Sequence, residues 1–183
     1  MRRTPTTSGA AVLAAAVALL AAGCGGSSST STMSTDQWAS GVCTAVTTWK
    51  TSLTSIESSV KSGQLTKESI SGATTEAAAA TNTLAKDLKK LGKPDTQAGQ
   101  TAQDDLAQLS SELTKNVQTI EDAISGVSGA AGVLTAVSTA ASTLATMGTE
   151  VSTTLTDLQK LDPKGEIKQA FQQADSCKSL LGS

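Results

Sequence analysis

From Trp38 onward apolar residues return every three or four positions, in five successive runs. In the first run Trp38, Val42, Val46, Trp49, Leu53, Ile56 and Val60 are spaced by four, four, three, four, three and four residues. Such steps keep a side chain on one face of a helix with 3.6 residues per turn, so all seven share a single stripe. Gly63 then supplies a stop. Thr66 is placed to cap a second helix whose stripe is Ile70, Ala73, Ala77, Ala80, Leu84, Leu88 and Leu91. Its end is marked by Gly92 and Pro94, with Lys86, Lys89 and Lys90 beside the negative end of the helix dipole.

The third stripe runs through Ala102, Leu106, Leu109, Leu113, Val117, Ile120, Ile124 and Val127, and the fourth through Val133, Val137, Ala141, Leu144, Val151, Leu155 and Leu158. Asp162-Pro163 then reads as an N-cap followed by a first-turn proline, opening a shorter fifth helix with Ile167, Phe171, Ala174, Cys177 and Leu181 inward. Threonine is abundant but sits at helical rather than alternating spacing, so its β-preference yields to the packed face and no strand is expected. The pattern predicts an all-α fold: an antiparallel bundle of four long helices plus a shorter C-terminal helix. Runs of alanine at 77–80 and 140–141 predict close helix contacts with little space between them.

The beginning of the chain has a different character. Met1-Arg2-Arg3 is basic, Ala10 to Ala22 is uncharged and apolar, and small residues lead to Cys24. A basic start, a short apolar middle and a small-residue processing site form a secretory signal, and this apolar run falls short of the roughly 20 residues that a membrane-spanning helix needs. The stretch Leu19-Leu20-Ala21-Ala22-Gly23-Cys24 resembles the lipobox of bacterial lipoprotein precursors, in the style of high-GC Gram-positive bacteria, with Ala21 where that family prefers leucine. The resemblance implies cleavage before Cys24, diacylation of its sulfur, and a product held on the extracytoplasmic face of the cell membrane. It covers the first thirty or so residues only.

Residues 1–23 are therefore read as signal peptide, residues 24–35 as lipidated cysteine and Gly/Ser/Thr linker, and residues 36–183 as the helical domain. A linker from Gly25 to Thr35 spans roughly 18 Å on average.

Three cysteines leave one pair, Cys43 and Cys177, once Cys24 is assigned to lipid. Outside the cytosol that pair is expected to be oxidised, closing a loop of 134 residues. At 1.5 Å per residue Cys43 lies roughly 10 Å along the first helix and Cys177 roughly 21 Å along the fifth, so two helices running in the same direction bring the thiols together.

Loss of Arg2 and Arg3 with the signal lowers the 14 basic residues to 12 against 16 acidic ones, a net charge of −4. No basic footprint remains, and the aromatic residues are only Trp38, Trp49 and Phe171, which argues against nucleic acid as a partner. There is no histidine, the commonest general base and nitrogen ligand for zinc. The chain is accordingly read as non-enzymatic, with no cofactor and no metal.

Four features are candidate sites. Asp104-Asp105, Glu112 and Glu121-Asp122 lack the spacing of a calcium loop and read as a solvated helix face. Lys86, Lys89, Lys90 and Lys93 read as dipole compensation, with anionic headgroups or wall polymers as the functional alternative. Serine and threonine are plentiful but have no base to activate them. Trp38, Trp49 and Phe171 read as core, and alternatively as the wall of a ligand site. The expected function is a membrane-anchored binding or structural module that contacts an envelope protein or wall component. The alternative is a carrier or sensor of a small apolar ligand held between helices.

Overall fold

The computed structural model describes residues 32–63 and 66–181, and every element below lies within them. The lipobox-like segment with Cys24 lies outside the described residues, as does most of the linker. Four long helices, α1 (Thr35–Ser62), α2 (Lys67–Leu91), α3 (Gly99–Ser125) and α4 (Gly129–Leu158), are joined by short turns. Each packs antiparallel to its neighbour in sequence, and two short helices, α5 (Glu166–Gln173) and α6 (Asp175–Leu181), lie over α1. The fold is all-α and closed by a Cys43–Cys177 disulfide with a Cα separation of 5.0 Å.

Local chemistry explains the helix boundaries. The Ser34 hydroxyl accepts a hydrogen bond from the Gln37 N–H at 3.4 Å to start α1. Thr66 and Ser69 form a reciprocal capping box for α2, with Ser69 N–H donating to Thr66 Oγ1 at 3.1 Å and Thr66 N–H donating to Ser69 Oγ at 3.0 Å. Gly92 ends α2 at a φ of 65°, which a side chain disfavours. At Gly99, where α3 begins, a Cβ would stand 2.2 Å from the Pro94 carbonyl oxygen, so only glycine lets the turn fold back this tightly.

Threonine and serine are tolerated inside the helices because their hydroxyls bond to the preceding turn. Thr48, Thr51, Thr54, Thr75 and Thr83 each donate to the carbonyl four residues earlier. The hydroxyl is thereby satisfied without leaving helical geometry.

Two details depart from the sequence pattern. A two-residue parallel pairing joins β1 (Thr32–Met33) to β2 (Lys93–Pro94), and the Asp95 N–H donates to the Met33 carbonyl at 2.9 Å. The last residues read as linker are thus held against the α2–α3 turn. The expected single fifth helix is also broken. Asp162 is buried and accepts from the N–H groups of Lys164 and Glu166 at 3.0 and 2.7 Å, so it caps a turn ahead of α5. Ala174 then takes an extended conformation between α5 and α6. On a straight helix the six residues from Phe171 to Cys177 would leave them about 120° apart. The break lets both turn to the core, where each is fully buried.

Burial along the four long helices is uneven. On α1 the residues from Trp38 to Trp49 that face inward are buried, whereas Leu53, Ile56 and Val60 farther along the same stripe are only half-buried. On α4 the buried residues are Ala136, Met147, Val151, Leu155 and Leu158, while Val133, Val137, Ala140 and Leu144 are half-buried.

Candidate functional site

The half-buried stretches of α1 and α4 face a cleft with a volume of about 260 Å³. Leu53, Ile56 and Val60 of α1 and Ile70, Ala73, Thr74 and Ala77 of α2 form one side. Ile120 of α3 and Val137, Ala140, Ala141 and Leu144 of α4 complete it, so all four long helices contribute. Leu53 lies about 27 Å along α1 from Thr35 at 1.5 Å per residue, which puts the cleft at the far end of the bundle from the N-terminal entry. Ala141 is exposed and Leu144 half-exposed, so the cleft opens beside α4.

This opening departs from the close helix contact expected of the alanine runs. Ala77, Ala140 and Ala141 line space rather than filling it. A short side chain permits approach, but nothing at this end draws the helices together as the ring contacts do at the other.

Two kinds of polar group meet the cleft. Glu57 and Lys61, one turn apart on α1, form an ion pair at its rim with both side chains mostly in solvent. Thr74 lies in the wall. It is 9 % exposed, and its hydroxyl makes no hydrogen bond among the described residues. Seven residues along α2, Thr81 donates to the Ala77 carbonyl at 2.8 Å and accepts from Trp49 Nε1 at 3.1 Å. The two threonines occupy the same helix face in opposite states.

The three aromatic residues stand elsewhere. Trp38 and Phe171 are buried and meet edge to face, with ring centroids 5.9 Å apart, and Trp38 Nε1 donates to the Gly92 carbonyl at 3.2 Å. Trp49 is 3 % exposed and committed to Thr81. None of the three lines the distal cleft. Cys43 and Cys177 are joined and buried beside Ala39.

The acidic residues separate into distinct surroundings. Asp105, Glu112, Glu150 and Asp157 border a polar groove of about 590 Å³ between α3 and α4. Burial, then the charges of Asp104 and Asp157, push the Asp105 carboxyl above its usual range. Glu150 is occupied by the Asn116 side-chain amide at 2.7 Å, which ties α3 to α4. Among the described residues no three His, Cys, Asp or Glu side chains converge as a metal-binding set. On the other side of α3, Lys86 and Lys89 border a second groove with Gln100, Gln103 and Asp104, and Lys90 pairs with Asp87.

The distal cleft thus has the composition of a binding site: an apolar wall from several elements, one convergent polar group and an open mouth. Its volume falls between the roughly 150 Å³ of an engineered cavity that takes benzene and the roughly 300–1,000 Å³ of sites for drug-sized ligands. No family model matches the chain, and no curated protein or solved structure is detectably similar to it.

Proposed function

We propose that this chain is a non-enzymatic binding protein of the cell envelope, tethered through Cys24 to the extracytoplasmic face of the membrane, whose distal cleft takes a small apolar ligand. The cleft walled by all four long helices carries this reading. Burial of an apolar ligand there contributes about 25 cal/mol per Å² removed from water, without any reaction. The tether rests on the basic start, the apolar run and the Gly23-Cys24 junction. With two or three acyl chains at Cys24, each buried methylene adding about 0.8 kcal/mol, attachment is lasting.

The test uses the chain from Gly25 onward, which contains every described element. An environment-sensitive apolar dye such as N-phenyl-1-naphthylamine should bind one to one with enhanced fluorescence. Ala140→Phe, which fills the cleft, should abolish binding while circular dichroism stays unchanged. Dye binding that survives Ala140→Phe, or is absent from the unsubstituted protein, removes the reading. In cells, an alkynyl fatty acid should label the product and fail to label Cys24→Ala.

A second reading draws on the outer face of α4. No charged residue occurs between Gly129 and Thr149, and Leu134 is 65 % exposed. An 18-residue window of this helix has a mean hydropathy of 1.3 with only 17 % buried, long and apolar enough by composition to cross a membrane. Solvent-facing helix surfaces ordinarily carry charge. The uncharged face favours docking of an envelope protein or wall component alongside α4. Leu134→Lys should break such a complex and leave dye binding intact.

A further inference from the structure

We propose that the distal cleft holds one straight alkyl chain, the tail of a single-chain amphiphile, seated tail first with its head left in water at the Glu57–Lys61 rim. The inference rests on the cleft reading above and adds the shape and class of the occupant.

Length and volume together set the shape. The cleft is lined from Leu53 to Val60 on α1, from Ile70 to Ala77 on α2 and from Val137 to Leu144 on α4. Each stretch advances seven residues, which at 1.5 Å per residue makes a slot roughly 10 Å long. A zigzag alkyl chain advances about 1.25 Å per carbon, the projection of a bond of about 1.52 Å, so roughly nine atoms in file span that length. The volume gives the same count. If each non-hydrogen atom takes roughly the 30 Å³ that a water molecule occupies in the liquid, 260 Å³ holds about nine atoms. A slot as long as its contents in single file has room for a chain and no second row of atoms beside it. A branched or ring-shaped body of the same size seats one edge and leaves the rest at the open mouth beside α4.

The two ends of the slot differ. Toward the entry end the stripes of α1 and α4 continue as Trp49 and Met147, both buried, so packed core closes it. At the other end Val60 and Lys61 lie within two residues of the end of α1, and Lys61 pairs with Glu57, both side chains mostly in solvent. Apart from that ion pair the lining carries no charge, and it is aliphatic but for the Thr74 hydroxyl. An ionic head drawn to the closed end would lose its hydration with no counter-charge to meet it, whereas methylenes there leave water favourably. The tail therefore goes in and the head stays out, where an ammonium and a carboxylate stand together and favour neither sign of charge.

NMR titration of the isotope-labelled chain from Gly25 onward reads both affinity and place, with straight-chain alcohols from 1-pentanol to 1-undecanol as probes. The expected result is one-to-one binding that tightens about two- to fourfold with each methylene up to about nine chain atoms and levels off beyond them. That break is a ruler for the slot. Leu53→Ala, which deepens the closed end, should move it about three atoms longer, and Ala77→Leu, which fills that end, about three atoms shorter. Diisobutyl carbinol, a branched isomer of 1-nonanol, should bind at least about threefold more weakly than the straight alcohol. Octanoate and octyltrimethylammonium should bind within about tenfold of one another, a comparison that sets the head of a fatty acid against that of a choline lipid. Affinities of the two nine-carbon alcohols closer than threefold, a break that neither substitution moves, or a larger preference for one head overturns the proposal, and binding that Ala140→Phe abolishes then keeps the cleft reading alive. Binding of ethylbenzene, a hydrocarbon of similar size, without binding of 1-octanol overturns the straight chain alone. Failure of both to shift the resonances of the cleft overturns both readings.

Discussion

The two ends of this bundle are built from the same helices and have opposite characters. At the entry end Trp38, Phe171 and the Cys43–Cys177 bridge fill the interior, and the indole N–H of Trp38 is satisfied by Gly92. At the distal end the same stripe of α1 continues as Leu53, Ile56 and Val60 but meets alanines and an unpaired threonine across an open cleft. Large, directional side chains lock one end, and short ones leave a cleft at the other. On the proposed reading, stability and recognition are divided along the length of the bundle.

Substitutions at the two ends should separate these roles, beginning with the cross-link. Replacing both Cys43 and Cys177 by alanine opens a loop of 134 residues, and the chain-entropy model gives a loss of about 5 kcal/mol, measurable by urea denaturation. Trp38→Ala should cost about 3–5 kcal/mol. Leu144→Ala, at the half-exposed cleft, should cost about 1 kcal/mol because it was never fully removed from water. Equal losses at Trp38 and Leu144 would erase the contrast between the ends.

The paired threonines sharpen it further. Thr81→Val strands the Trp49 N–H in the core and should cost about 1–3 kcal/mol. Thr74→Val removes a hydroxyl that has no partner and should leave the melting temperature unchanged or slightly raised, as calorimetry would show.

The smallest expected effect is electrostatic. The Asp105 carboxyl is raised, so the folded state holds its proton more tightly than the unfolded chain does, and stability is lost as pH rises through the folded value. Asp105→Asn should therefore be more stable than the parent at pH 7, by well under about 1 kcal/mol at this solvent-screened position, with the gap closing on acidification.

Much of this was legible in the residues. The stripes of α1 to α4, the stops at Gly63 and Gly92 and the Cys43–Cys177 pair follow from spacing and chemistry alone, because periodicity reports which face is buried. How deeply it is buried is another matter. Leu53 and Trp38 sit on one stripe and differ in exposure because of what α4 and α5 place opposite them, which no local pattern contains. Alanine is ambiguous in the same way, since Ala77 and Ala140 are compatible with contact and with a gap.

Thr74 and Thr81 escape an apolar count for a simpler reason. Counting only apolar residues hid the fact that Ile70, Thr74, Ala77, Thr81, Leu84 and Leu88 repeat at four, three, four, three and four, a stricter seam than the one drawn without them. The break at Ala174 was concealed because each half of the C-terminal segment looks helical on its own.

Because Cys43 is bonded to Cys177, the backbone between them is a covalent ring that contains the three turns between the long helices. A protease that nicks the exposed turn around Gly63 cuts the ring once and releases no fragment. On the proposed extracytoplasmic side of the membrane, where peptidases act and repair is absent, such a molecule would outlast its first injury with both pieces still joined.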